Sequence, residues 1–287
     1  MNIIIHRGTH QIGGSAIEIS TASTRIILDF GNELSLDEKY TPINLDIDGV
    51  TKGLPDCDGI VISHYHMDHL GQLTSALPEI PLYMGELSKE IALIGAEYQD
   101  RCLYLRLLGA NTFRGGDAFS IGDIRIRPLV IDHSAVDSYM FALEAEGKHV
   151  LYTGDFRMHG LRHHILDQLV NTYIGEVDVL ITEGTSLSRD ADKYISEAAV
   201  LDDISSYIQD GKYVFIMCSS TNIDRIMGIW QNMPTDKVLI CDAYQKRILD
   251  TVINNVYYES SLYRRHDSPL VLSKGPYPKY YMDHGFV

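Results

Sequence analysis

The sequence has no closely spaced cysteine pair, because its four cysteines lie far apart at Cys57, Cys102, Cys218 and Cys241. This spacing excludes a disulfide framework and a thiolate zinc site, and it is typical of a reducing compartment. The chain also lacks an apolar run long enough to cross a membrane, and its N-terminus lacks the apolar core and cleavage site of a signal peptide. We therefore expect a cytoplasmic protein with no membrane association.

Positive charge is scarce, since 24 lysines and arginines stand against 39 aspartates and glutamates among 287 residues, for a formal net charge of −15. Basic patches are short and local, "RMHGLRHH" at 157–164 and "YRR" at 263–265. Taken as a whole, such a surface repels nucleic acid. Bound divalent metal ions would offset the negative charge within one cleft, so a nucleic-acid substrate is not excluded.

The pattern of apolar residues predicts an α/β protein. Short β-branched runs broken by Gly, Asp and Asn predict closely spaced strands in the first part of the chain, for example "NIIIHRG" and "TRIILDFG". A helical stretch is predicted over residues 85–110, where apolar residues recur every three or four positions. Further strands follow, and Gly147 and Lys148 are predicted to form a hairpin turn between two of them.

The rhythm of the sequence changes at about residue 185, where helices and strands begin to alternate. This second part includes a predicted strand in "KYVFIMCS", residues 212–219. Alternation of this kind favours a parallel, doubly wound segment. We therefore predict two domains, residues 1–184 and residues 185–287.

The densest cluster of polar side chains lies in "VISHYHMDHLGQL", residues 61–73, which holds His64, His66, Asp68 and His69. It follows a predicted strand, "GIVIS", and precedes a predicted helix around "LGQLTSAL". Imidazole and carboxylate are suitable zinc ligands, and a loop at the end of a strand can turn several of them towards one ion. A histidine-rich surface loop or a nickel-binding tract would not need the buried strand that precedes the cluster. The sequence favours a metal site.

Two further residues follow predicted strands in the same way. His133 comes after "IRPLVI", and Asp155 comes after "HVLYTG". Side chains at the ends of neighbouring strands converge at one edge of a sheet. We therefore predict His133 and Asp155 as metal ligands, with Asp155 placed to bridge two ions. Alone, the first would be a hydrogen-bonded loop histidine and the second a turn residue.

His64-x-His66-x-Asp68-His69 resembles the signature of the metallo-β-lactamase fold hydrolases. Asp29 in "IILDFG" resembles the first motif of that family, and His133 and Asp155 resemble its third and fourth motifs. The resemblance covers residues 1 to about 183 in order. It implies an αββα sandwich with two metal ions at one edge of the sheets.

Within that family, "DHSAVDSYMF", "YTGDFRMHG" and "VDVLITEGTSL" resemble the β-CASP branch, which includes ribonuclease J. Glu183 in "TEGT" matches the acidic residue of the first motif specific to this branch, whose role would be to orient a histidine acid. The resemblance implies a β-CASP-like α/β cap after the lactamase domain. We expect residues 185–287 to form a partial or shortened cap.

The end of the sequence departs from the pattern of the branch, in which the chain returns after the cap to complete the lactamase domain. His266 and His284 are the late histidines, and neither stands in a matching context, although "SPLVLS" reads as one strand. The sequence is therefore expected to be a fragment or a shortened natural variant. We expect the second metal to bind less tightly than the first. An exposed sheet edge would favour self-association into a homo-oligomer.

The resemblance implies a metal-dependent hydrolase with two zinc ions, or manganese, and a metal-activated hydroxide that cleaves phosphodiester bonds in single-stranded RNA or DNA. Asp68 would act on the nucleophile and also ligate or support the second metal with His69. Asp29 would support the ligands through hydrogen bonds. Two alternatives stay open: hydrolysis of a small ester, thioester or lactone, and a metal-binding interaction module without turnover.

Overall fold

The computed structural model describes residues 1–34, 43–187, 194–255 and 269–271. The chain divides into two compact units, residues 1–158 with 162–189, and residues 159–161 with 190–287. Across the described parts of both units, we find no helix with the length and apolar character needed to span a membrane.

The first unit contains a six-stranded sheet in which the strands are arranged in chain order. Its first three strands pair antiparallel and its last three join by parallel pairing. The strands are β1 (Asn2–Arg7), β2 (Ala16–Ser20), β3 (Arg25–Leu28), β4 (Gly59–Ile62), β5 (Leu82–Gly85) and β6 (Asn111–Phe113). The strands predicted in the first part of the chain are confirmed.

A second sheet of five strands completes the β structure of this unit, in the order β11-β10-β9-β8-β7. Neighbouring strands are antiparallel except β10 and β11, which pair in parallel. The strands are β7 (Phe119–Ile121), β8 (Ile124–Ile131), β9 (Ser138–Ala145), β10 (Lys148–Tyr152) and β11 (Val179–Ile181).

The two sheets pack face to face, because apolar side chains from both meet in one buried cluster. Ile17, Ile26 and Leu28 come from the first sheet, and Ile126 and Phe141 from the second. Strands β8 and β9 bury residues on both faces, as expected for a sheet with a layer on each side.

Helices form the outer layers of the first unit. α2 (Glu86–Gln99) packs against β5 and β6 of the first sheet. α4 (His164–Leu169) and a π-helical turn, Val170–Ile174, contribute side chains to a second apolar cluster with Leu129 and Met140 of the other sheet. This arrangement confirms the predicted α/β class and the αββα sandwich of the metallo-β-lactamase type.

The predicted helical stretch over residues 85–110 is divided in two. α2 ends at Gln99, and α3 (Arg101–Leu108) begins directly after Asp100. The Asp100 backbone is extended, and its carboxylate accepts hydrogen bonds from the N–H groups of Cys102 and Leu103. An aspartate at this position satisfies two N–H groups that a new helix would leave unpaired, so it starts a helix rather than continuing one.

Two local predictions were wrong by a few residues. The hairpin turn is formed by Glu146 and Gly147, one residue earlier than predicted, since Ala145 pairs with Lys148 and both turn residues have positive φ. α1 (Met67–Leu70) starts inside the ligand cluster, and turns follow it where the helix around "LGQLTSAL" was predicted. The reason is that the N–H of Gln72 bonds the carbonyl of Phe30 rather than a helical partner.

The second unit contains three helices and a short parallel pair of strands in its described part. These are α5 (Glu197–Asp210), α6 (Ile223–Asn232), α7 (Ala243–Asn254), β12 (Ile240–Cys241) and β13 (Leu270–Val271). The strand predicted over residues 212–219 is wrong, because residues 214–219 pair with no strand among the described residues and the side chains of Phe215 and Met217 are 92% and 100% exposed. The assignment of this unit as a β-CASP-like cap stays a prediction.

Candidate metal centre

The predicted ligands lie on loops that follow three strands of the first unit. His64 follows β4 of the first sheet, while His133 follows β8 and Asp155 follows β10 of the second. The face-to-face packing of the sheets brings these strand ends together, although the residues are up to 91 positions apart (155 − 64). Two groups of donors result: His64, His66 and His133, and His64, His69 and Asp155.

The nitrogen–nitrogen distances in the first group are close to those between ligands of a tetrahedrally coordinated ion. Nε2 of His64 lies 3.1 Å from Nδ1 of His66, and Nε2 of His133 lies 3.2 Å from that same atom. Two nitrogens bound to one tetrahedral zinc at the usual bond length are about 3.4 Å apart. The chemistry and spacing of these three imidazoles therefore fit a zinc ion.

The second group places Asp155 between the two sets of histidines. Its Oδ2 lies 3.3 Å from Nε2 of His69 and 3.9 Å from Nε2 of His133. Oδ2 of Asp68 lies 3.7 Å from the same His69 nitrogen. A carboxylate in this position can offer an oxygen to each of two neighbouring ions, and the bridging role of Asp155 stays a prediction.

Asp29 is fully buried directly behind these ligands and accepts four hydrogen bonds. Its Oδ2 lies 2.7 Å from Nδ1 of His69 and accepts from the hydroxyl of Tyr152 at 2.5 Å. Both the backbone N–H and the hydroxyl of Ser63 donate to the carboxylate. Because His69 donates its Nδ1 proton to Asp29, its Nε2 is turned towards Asp68 and Asp155.

Ser63 fixes the orientation of a second ligand. Its hydroxyl donates to Asp29 and lies 3.0 Å from Nδ1 of His64, so it accepts the proton of that nitrogen. Nε2 of His64 is thereby left as the nitrogen that faces the donor groups. The role predicted for Asp29 as a ligand support is consistent with this geometry and stays a prediction.

The loop that carries Asp68 lies directly against the backbone of two other segments. The carbonyl of Asp68 accepts from the N–H groups of Gly14 and Ser15, at 3.1 and 3.2 Å. Gly31 approaches so closely that a Cβ placed there would lie 1.6 Å from the same carbonyl oxygen. A side chain at Gly31 is therefore excluded without a shift of the ligand loop.

Glu183 is placed beside the Asp155 loop. Its Oε1 accepts a hydrogen bond from the N–H of Phe156, at 2.9 Å. The structure therefore gives this carboxylate a contact that holds the loop after β10. Orientation of a histidine acid by Glu183 stays a prediction, and His266 and His284 lie outside the described residues.

The histidines of the site differ in the direction of their pKa shifts. Burial, with the neighbouring imidazoles, lowers the pKa of His64 well below its usual value, and burial lowers the pKa of His66 to about 4 and of His133 to about 3. Burial also opposes the charged form of His69, but Asp29 and Asp155 raise its pKa well above its usual value. The first group therefore presents neutral, ligand-ready nitrogens, whereas His69 must release a proton to bind a metal.

Several residues of the site were missed by sequence reasoning. Ser63 and Tyr152 hold Asp29, and Tyr65 accepts a hydrogen bond from the N–H of Val136 near His133. Asp132 pairs with the Arg157 guanidinium at 2.9 Å and so joins the His133 loop to the Asp155 loop. For Asp132, its position directly before His133 in "VIDHS" was the signal that could have found it.

Comparison with known proteins places the geometry in context. Residues 24–203 match the profile of the family described as "Beta-lactamase superfamily domain". Ribonuclease J from Helicobacter pylori is 25% identical over 244 residues, covering 76% of this chain and 33% of that protein. Endoribonuclease YSH1 from Gibberella zeae is 24% identical over 281 residues, covering 90% of this chain and 32% of that protein. The chain thus spans about a third of the length of these curated relatives.

A similar fold is found among solved structures. A protein of unknown function from Enterococcus faecalis V583 superposes with a TM-score of 0.72 at 20% sequence identity. The superposition covers 86% of this chain and 66% of that one. At this level of identity the likeness extends to the fold alone.

Proposed function

The chain belongs to the beta-lactamase superfamily, and its relatives support the β-CASP-like resemblance. We propose that it is a metal-dependent hydrolase that cleaves phosphodiester bonds in single-stranded RNA. The observation that carries this proposal is that two groups of donors lie side by side, one formed by His64, His66 and His133 and the other bringing His69 and Asp155 together. Two adjacent cations are the arrangement that enzymes use for displacement at phosphorus. The nuclease activity named in its relatives supports RNA as the substrate.

The donor set favours zinc, with manganese as the alternative. His64, His66 and His133 would hold one ion, and His69 with Asp68 would hold the other, with Asp155 between them. Ions bound there would supply the positive charge that polarises a phosphodiester and activates water. That charge also offsets the net charge of −15 where an anionic strand would approach.

Asp68 is the residue best placed to handle a proton. Its side chain is 14% exposed, so solvent reaches a carboxylate that otherwise lies within the donor cluster. Burial raises the pKa of Asp68 above its usual value, and Asp155 adds to this effect while His69 opposes it. Because Asp68 lies beside the donor groups and is reached by solvent, it is the carboxylate that would accept the proton of the attacking water.

Glu183 and Asp29 hold the donor cluster in position. Glu183 holds the N–H of Phe156, and this contact fixes the loop that carries Asp155. Asp29 fixes His69 directly, and it fixes His64 through Ser63. These contacts keep the donor atoms in place before a substrate binds, which reduces the reorganisation needed during the reaction.

The second unit is proposed as the β-CASP-like cap that contributes to binding of the RNA substrate. Support for this assignment comes from its helices and its parallel pair of strands, and from the alignment with YSH1, which covers 90% of this chain. The matched family profile ends at residue 203, shortly after the start of α5.

The test is cleavage of a 5′-labelled single-stranded RNA with added Mn²⁺ or Zn²⁺. We expect products that disappear with EDTA and in Asp68→Asn, whereas Asp117→Asn, an exposed carboxylate between β6 and β7, retains activity. DNA of the same sequence and an activated ester are tested in parallel. Ester turnover without RNA cleavage would favour the small-molecule alternative. Absence of both activities in the metal-loaded chain would contradict a hydrolase.

A further inference from the structure

We infer that Arg7 is a positioning residue for Asp68 and His69, an inference that rests on the proposed function of the donor cluster. Arg7 is the last residue of β1 and is 8% exposed. A guanidinium is rarely buried to this extent unless its N–H groups are satisfied. Its partners therefore indicate what it holds.

The Arg7 guanidinium donates hydrogen bonds to three backbone carbonyls from separate segments. Nε donates to the carbonyl of Gly14 at 3.2 Å, Nη2 to that of Gly31 at 2.6 Å, and Nη1 to that of Ile43 at 2.7 Å. Nη1 also lies 3.4 Å from the Glu33 carboxylate. None of these contacts is to a ligand residue, so Arg7 acts through the segments that it joins.

Two of those segments form the backbone support of the ligand loop. From one segment, the N–H groups of Gly14 and Ser15 donate to the carbonyl of Asp68. From the other, the N–H of Phe30 donates to the carbonyl of His69 at 2.7 Å, and the N–H of Asn32 to that of Met67 at 2.9 Å. The two segments thus contact successive carbonyls of α1. They are joined to each other by a backbone bond from the N–H of Gly31 to the carbonyl of Ser15, and the Arg7 guanidinium adds a side-chain bond to each of them.

The packing leaves little free space between this support and the ligands. A Cβ at Gly13 would lie 2.8 Å from Cβ of Asp68, and one at Gly31 would lie within 2.0 Å of the Asp68 carbonyl carbon. A displacement of either segment therefore changes the position of Asp68 and His69 rather than being absorbed. Misplacement of a reacting group by about 1 Å is enough to reduce a rate strongly.

Arginine is needed at this position because the three carbonyls are bonded by the three nitrogens of one planar guanidinium. Lysine carries one nitrogen at the end of a flexible chain and cannot reach three separated acceptors at once. Arg7→Lys therefore keeps the positive charge and removes the hydrogen bonds of the guanidinium, while the backbone bond from the N–H of Gly31 to the carbonyl of Ser15 stays. The charge and the guanidinium hydrogen bonds can be separated by experiment.

The chain offers a matched control in Arg106. Its guanidinium also donates to three backbone carbonyls, those of Leu77, Pro78 and Ile80. These acceptors all belong to one loop, which carries none of the proposed ligands. Arg106→Lys therefore removes a comparable set of hydrogen bonds without affecting the support of Asp68.

The experiment is titration of the metal-free chain with Co²⁺, followed by visible absorption, in wild type, Arg7→Lys, Arg7→Gln and Arg106→Lys. We expect both Arg7 variants to lower the affinity for the second, more weakly bound Co²⁺ ion by about 10-fold. This is the lower end of the range for residues that support a metal ligand without binding the metal. The affinity for the first ion, and for both ions in Arg106→Lys, should be unchanged. Thermal melting of each variant checks its folding, and RNA cleavage should show a lower kcat with little change in KM.

The possible results separate the inference from the function on which it rests. If wild type binds no Co²⁺, the proposed function fails and the inference falls with it. If wild type binds Co²⁺ normally and the Arg7 variants match Arg106→Lys, only the role of Arg7 is overturned. If both Arg7 variants fail to fold while Arg106→Lys folds, Arg7 has a general structural role and the inference is also overturned.

Discussion

At the scale of single residues, the most constrained group in the site is the carboxylate of Asp29. It is fully buried and has a φ of 56°, a left-handed conformation that residues other than glycine adopt infrequently. Four hydrogen bonds converge on its two oxygens. Such a backbone conformation persists only where surrounding contacts stabilise it, and here the contacts are those that orient His64 and His69.

Asp29→Asn is expected to weaken metal binding by about 10- to 100-fold while the fold is retained. Asparagine tolerates a positive φ, but its NH₂ group cannot accept from donors that face the Asp29 oxygens. Competition with a chromophoric zinc chelator measures the effect. Asp137→Asn is the control, because Asp137 is also buried with positive φ but bonds Ser88 and Tyr139. A loss of thermal stability with unchanged zinc affinity would reduce Asp29 to a structural turn residue.

The depressed pKa values of His66 and His133 predict how the metal-free chain responds to acid. When folded, these residues stay neutral down to about 4 and about 3, whereas in the unfolded chain they take up protons near 6.5. The unfolded chain therefore binds more protons below pH 6.5, and folding stability falls as the pH is lowered towards 4. Each histidine contributes a slope that approaches about 1.4 kcal/mol per pH unit once the unfolded residue is fully protonated.

Urea unfolding in EDTA at pH values between about 6.5 and 5.5 measures this slope. The variant His66→Asn removes one of the titrating groups and should show a shallower dependence than wild type. His149→Asn, at an exposed histidine on β10 outside the cluster, is the control substitution. Stability that is constant or increases on acidification would contradict the assignment of neutral histidines in the folded cluster.

Sequence spacing was sufficient to find the donor residues but not the groups that orient them. His64, His66, Asp68 and His69 are neighbours in the chain, so their pattern is visible without a fold. Tyr152 lies 123 residues from Asp29, and its hydroxyl reaches that carboxylate only because the two sheets pack face to face. Arg7 likewise contacts residues 7, 24 and 36 positions away through their backbone, which has no signature in side-chain type.

At the scale of elements, helix starts are determined by local hydrogen bonds that can outweigh a continuous apolar pattern. Residues 85–110 have helical periodicity throughout, yet the helix is interrupted at Asp100. The interruption is local, since the Asp100 carboxylate accepts from the first free N–H groups of α3. The side chain therefore stabilises α3 as a separate helix.

Asp100→Ala is expected to destabilise the chain by about 1 kcal/mol, the usual cost of removing such a cap. Asp100→Asn should retain most of the stability, because its side-chain oxygen can still accept the same hydrogen bonds. Urea denaturation compares the free energies of unfolding. Equal stability of the alanine variant and wild type would mean that the cap makes no net contribution.

Element predictions failed where tertiary pairing decides the outcome. The apolar run at residues 212–219 has strand composition, but in the described part of the second unit it has no neighbouring strand to supply hydrogen bonds. The hairpin between β9 and β10 was predicted correctly, but its turn was displaced by one residue because strand register, rather than the position of Gly147, fixes which residues form it.

At the scale of the whole molecule, the αββα architecture of the first unit explains how residues far apart in a strongly acidic chain form one cluster of metal-type donors. The sheets place the candidate ligands that follow β4, β8 and β10 at one location, so that ions held there would concentrate positive charge at the proposed site. The formal net charge of the chain is −15. We therefore expect substrate binding to depend on the bound ions rather than on a basic surface.

The central claim is that two adjacent donor groups, His64 with His66 and His133, and His69 with Asp68 and Asp155, hold two metal ions, and elemental analysis of the purified chain after dialysis against zinc tests it most directly. We predict about two zinc ions per chain in wild type and about one in the double variant His66→Ala, His133→Ala, which removes the first group and leaves His69 and Asp155 in place. His149→Ala, the exposed control, should match wild type. A wild-type chain without zinc, or a double variant with the same zinc content as wild type, would contradict the account.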